Sequence, residues 1–79
     1  MEELIENLIK LRIIKRGLNR HRATISIADD LGISRRAVLL YLAGGSNGSK
    51  SLEKHIGILI HLETHGAIRL DDLASLNSH

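Results

Sequence analysis

The groups in this chain that could do chemistry are five histidines, two adjacent aspartate pairs, a glycine-rich loop and a set of clustered arginines. His61 and His65 stand four residues apart, so a helix would put both imidazoles on one face, with His55 a little earlier. Two imidazoles without a single cysteine do not make a zinc site, which takes three or four protein ligands. H-L-E-T-H also lacks the H-E-x-x-H arrangement of metal-dependent proteases. No metal is expected. Asp29-Asp30 and Asp71-Asp72 resemble paired carboxylates, but neighbours on a helix point about 100° apart and cannot share one proton-transfer site. The loop Gly44-Gly45-Ser46-Asn47-Gly48-Ser49-Lys50 suggests a phosphate cradle, yet it has neither the G-x-x-x-x-G-K-[ST] spacing nor a strand before it. Nothing supplies a nucleophile with a base and an orienting group, so no enzyme and no cofactor are expected.

The arginines are different. The net charge of +2 hides an uneven distribution. Residues 10–36 carry Lys10, Arg12, Lys15, Arg16, Arg20, Arg22, Arg35 and Arg36 against only Asp29 and Asp30, whereas the first nine residues carry three glutamates. A helix dipole sorts acids to its start and bases to its end, which would account for residues 2–16. It does not account for Arg20, Arg22, Arg35 and Arg36 beyond that helix. A segment this basic attracts a polyanion, and nucleic acid is the expected one.

Those residues need elements to position them. Leu4, Ile5, Leu8, Ile9, Leu11, Ile13 and Ile14 recur at helical spacing from Glu2 to Arg16, and Gly17 supplies the stop. Residues 19–23 read as a basic connector, followed by a short helix over about 24–30 with Ile27, Ala28 and Leu31 inward. Gly32 breaks that helix, and Ser34 caps the next, over about 35–42. Ser51 is expected to cap a fourth helix over 52–65, ended by Gly66. A weak last helix is expected over 70–76, with a frayed tail at 77–79. The expectation is one all-α domain spanning residues 1–79, with four to five short helices and a central helix-turn-helix. Small Ala28 lets the two helices of that unit approach, and Gly32 allows the tight turn. With Ile27, Leu31, Ile33, Val38 and Tyr41 assigned to the shared core, Arg35, Arg36, Leu39 and Leu40 are left facing outward. Two arginines at the exposed start of a helix suit the major groove of a DNA duplex, where Arg pairs bidentately with guanine.

In residues 24–62 the chain resembles the Cro and lambda-repressor (Xre-type) helix-turn-helix regulators. A-D-D-L-G-I-S (28–34) is similar to that family's helix and turn, and A-V-L-L-Y-L-A-G (37–44) to the end of its recognition helix. K-S-L-E-K-H-I-G-I-L-I-H-L (50–62) resembles its following helix. The resemblance implies base contacts by Arg35, Arg36 and Leu40. It also implies phosphate contacts by Ser34 and Thr24 at helix ends and by Asn47 and Lys50 in the loop. Arg20 and Arg22 add phosphate contacts by their charge. The chain departs from the family in a longer connector before Ala28, in having no proline, and in the leucines at 39 and 40.

The fourth helix carries apolar residues around much of its circumference, with Ile56, Ile58, Leu59, Ile60 and Leu62. A small domain buries a limited share of its surface, so Ile56, Leu59 and Ile60 are expected at a dimer interface. A two-fold homodimer would set two recognition helices about 34 Å apart on a near-palindromic double-stranded DNA site. No apolar run approaches a membrane span, and the absence of cysteine suits a reducing compartment. The expected function is sequence-specific DNA binding by a cytoplasmic prokaryotic or phage transcription regulator, most often a repressor. The alternative is a protein-interaction module of the same fold, antitoxin-like or binding RNA polymerase, with Leu39 and Leu40 as its contact surface.

Overall fold

A computed structural model of the 79-residue chain describes residues 2–44 and 49–66. Among them are four α-helices and no strand: α1 (Glu2–Arg16), α2 (Arg20–Leu31), α3 (Arg35–Leu42) and α4 (Lys50–Thr64). The helix expected over 70–76, the tail at 77–79 and Asn47 lie outside the described residues.

Helix α1 is the hub and touches each of the other three. Its stripe Ile5, Leu8 and Ile9 is buried against Ala23, Ile27 and Ala28 of α2, Val38 of α3, and Ile56, Leu59 and Leu62 of α4. These ten side chains form an aliphatic core held by shape and area alone. Leu18, Leu31, Ile33, Tyr41 and Leu42 lie half-buried at its edge. Glu2 and Glu3 in the first turn of α1, and Lys15 and Arg16 in its last, complement the helix dipole.

Helix α2 begins earlier than the expected Thr24. Asn19, in extended backbone, is its N-cap, and the Asn19 side chain accepts the Arg22 N–H at 2.8 Å. Residues 20–23 are therefore the first turn of the helix rather than a connector, and Ala23 belongs to the core. The loop between α1 and α2 shrinks to residues 17–19. At the other end Gly32 takes the left-handed conformation (φ 68°). Its N–H donates to the Asp29 carbonyl at 3.2 Å, and the Ile33 N–H to the Ala28 carbonyl at 3.0 Å. That pair of bonds closes α2 in a Schellman motif and turns the chain.

Helix α4 also starts early. Ser49, not Ser51, is the cap, accepting the Leu52 N–H at 3.1 Å, because Ser49 is the serine left in extended backbone. No helix among the described residues is long and apolar enough to cross a membrane.

Candidate nucleic-acid interface

Helices α2 and α3 are joined by residues 32–34, and they pack against each other and against α1. The Ser34 hydroxyl accepts the Ala37 N–H at 3.1 Å, which fixes the start of α3. Only Val38 of this eight-residue helix is fully buried; Tyr41 and Leu42 are half-buried. Arg35, Arg36, Leu39 and Leu40 are all exposed, the two leucines at 41% and 51%. None of the carboxylates among the described residues pairs with Arg35 or Arg36. The Arg35 Nη1 lies 3.4 Å from His21 Nδ1. The outward face of α3 thus carries two cations at its N-terminal end and two apolar side chains one turn later.

The basic segment is less uniform in space than in sequence. Arg12 is fully buried: its Nε donates to Glu63 Oε1 at 3.1 Å, its Nη1 to the Ser26 hydroxyl at 2.9 Å, and its Nη2 to Asp30. Arg16 donates from Nε to Glu63 Oε2 at 3.1 Å and from Nη2 to Glu63 Oε1 at 2.8 Å. Two cations therefore meet two anions, Arg12 and Glu63 buried and Arg16 and Asp30 half-buried, and their charges answer one another. Arg20 forms a two-bonded fork with Glu6 at 3.0 and 2.7 Å. The Arg20 hydrogen bonds hold the Glu6 carboxyl below its ordinary pKa, and the carboxylate raises that of Arg20 in return. Arg20 remains exposed but its charge is answered locally. Of the expected contact cations, Arg22, Arg35, Arg36 and Lys50, the first residue of α4, are exposed and form no ion pair among the described residues.

Thr24 is not available to a phosphate. It lies in the second turn of α2, 3% exposed, with its hydroxyl donating to the Arg20 carbonyl at 2.8 Å. The earlier start of the helix at Asn19 is the reason. The expected dimer face on α4 also changes. Ile56 and Leu59 are buried within the single chain, and Ile60 is half-buried against the same core, because α4 lies along α1. The large apolar side chains left exposed among the described residues are Ile14, Ile25, Leu39 and Leu40, none of them on α4.

The buried Arg12–Glu63–Asp30 network was missed in the sequence, although one signal was there. Arg12 continues the spacing of Ile5, Leu8 and Ile9, so it occupies a core position of α1. His61 and His65 do come together, with ring centroids 4.3 Å apart, but no group of three metal-ligating side chains exists among the described residues. Compared with known families, curated proteins and solved structures, the chain matches none.

Proposed function

We propose that this chain is a DNA-binding transcription regulator of the Cro and lambda-repressor kind, which lays α3 in the major groove of a duplex. The observation that supports this most is the state of Arg35 and Arg36: exposed at the start of a capped helix, free of carboxylate partners among the described residues, while the neighbouring arginines of α1 are neutralised inside. Of the positive charge that stays exposed, two arginines stand side by side at the start of α3, which supports a role in meeting a duplex. Arg35 and Arg36 would read base edges; Arg22, Lys50 and the amide end of α3 would meet phosphates. Arg20 would contribute only by exchanging Glu6 for a phosphate.

One eight-residue helix reads few base pairs. A two-fold dimer doubles the site, and we propose that form, acting as a repressor by occupying a promoter. Its interface does not use Ile56 and Leu59, which the chain's own core already covers.

The experiment is selection from a random duplex pool, followed by fluorescence anisotropy of the recovered sequence across a salt series. Enrichment of a symmetric site, with affinity falling steeply with salt, is the expected result. The exposure of Leu39 and Leu40 favours a second reading, a protein-interaction module of the same fold. No enrichment from the pool, together with a protein partner whose binding Leu40→Ala abolishes, would establish that reading instead.

A further inference from the structure

The leucines at 39 and 40 are the feature of α3 that charge does not explain. Both are exposed on a helix whose other outward residues are arginines. Leu39 and Leu40 follow Arg36 by three and four positions, so they share its face, one turn further along. The rise of that turn, about 5.4 Å, corresponds to between one and two base-pair steps of about 3.4 Å. If Arg36 sits on one base edge, the leucines sit over the next base pair or the one after.

A leucine side chain has no donor and no acceptor. It cannot satisfy the N4 amine of cytosine or the N6 amine of adenine, and covering either removes a polar group from water without return. The one apolar group that a standard base pair presents in the major groove is the thymine C5-methyl. We propose that Leu39 and Leu40 are specificity-determining residues that select thymine by its methyl group, next to the base pair read by Arg36. The proposal rests on the DNA-binding reading above and adds to it the base that the apolar end of α3 requires. It also predicts a consequence for modified DNA. Cytosine methylated at C5 carries the same methyl at the same edge, so it substitutes for thymine at this position better than plain cytosine does.

The probe is the duplex of highest affinity from the random pool, resynthesised with deoxyuridine for each thymidine in turn, and separately with cytosine and with 5-methylcytosine there. Deoxyuridine differs only by the missing methyl. At the thymidine under the leucines, the expected loss is about fourfold in affinity per methyl, the value of one buried methylene-sized group. Cytosine should bind more weakly still, and 5-methylcytosine should recover about the same factor. Leu40→Ala, at an exposed position that takes no part in the core, should narrow the difference between thymidine and deoxyuridine duplexes, and Leu39→Ala, Leu40→Ala together should bind the two alike. If DNA binds sequence-specifically but no deoxyuridine substitution matters, the leucine proposal is wrong and the DNA-binding reading stands. The leucine proposal is equally wrong if the discrimination persists in the double variant Leu39→Ala, Leu40→Ala. If no duplex is enriched at all, both fall together.

Discussion

Arg12 lies wholly inside the bundle with its Nε 3.1 Å from Glu63 Oε1, so that a charged pair joins α1 to α4. The two residues are fifty-one positions apart in the chain. The geometry is well satisfied. The two Nη atoms of Arg12 donate to Ser26 and Asp30, Glu63 takes two more bonds from Arg16, and none of the buried side-chain nitrogens and oxygens among the described residues lacks a partner.

Such a pair is costly to break from one side, because the other charge stays buried without its counter-ion. Glu63→Ala takes from Arg12 and Arg16 the carboxylate they share and leaves the buried Arg12 with Asp30 as its one counter-ion among the described residues, and is expected to destabilise the fold by about 3 kcal/mol, the low end for a broken buried pair. A urea titration followed by circular dichroism measures it. A cost below about 1 kcal/mol would mean that Asp30 alone is counter-ion enough for the buried guanidinium.

The caps of α2 give a second, smaller test. The Asn19 side chain satisfies one orphan amide, and Asn19→Ala should cost about 1 kcal/mol in the same titration. Gly32→Ala introduces a side chain that meets nothing within 4 Å, so its penalty is purely that of the left-handed backbone, about 1–2 kcal/mol. A neutral Gly32→Ala would show that the turn can relax to another conformation.

The exposed Glu6–Arg20 fork predicts a pH dependence. Its hydrogen bonds to Arg20 lower the Glu6 pKa from 4.5, so the folded state holds the proton less tightly than the unfolded chain does. The pair's stabilisation is therefore present above the ordinary carboxylate range and fades as pH falls through the lowered value. The difference in urea midpoint between the protein and Glu6→Gln should be visible at pH 7 and vanish under strongly acidic conditions. Solvent screens the pair, and the difference should also shrink in high salt.

Much of this fold was legible because a regular apolar stripe and a glycine stop leave little choice. Helix α1 runs from Glu2 to Arg16 as its periodicity requires, and α3 begins after Ser34. Asn19 was harder to read as a cap, because the residues after it, Arg-His-Arg, carry no apolar period until Ala23 enters the core. Of the arginines, only Arg12 carried a sign of its fate, because it continues the core stripe of α1. Arg12, Arg20 and Arg36 have identical side chains, and long-range partners separate them: Glu63 for Arg12, Glu6 for Arg20, and no carboxylate among the described residues for Arg36. Ile56 and Leu59 show the same limit, since how much of α4 the chain covers depends on where α1 lies against it.

Arg36 carries the sharpest consequence of that sorting. Its side chain is exposed and forms no hydrogen bond among the described residues, so Arg36→Ala should leave stability within about 0.5 kcal/mol of the parent. On the selected duplex the same change should cost about 1–3 kcal/mol and relax the preference at one base pair. Lys50→Ala, by contrast, should weaken selected and mixed-sequence DNA alike and lower the salt slope by about one. Anisotropy titrations of both variants on both duplexes separate a base contact from a phosphate contact. Should Arg36→Ala weaken both duplexes equally, Arg36 would be a phosphate ligand, and α3 would lie across the groove rather than in it.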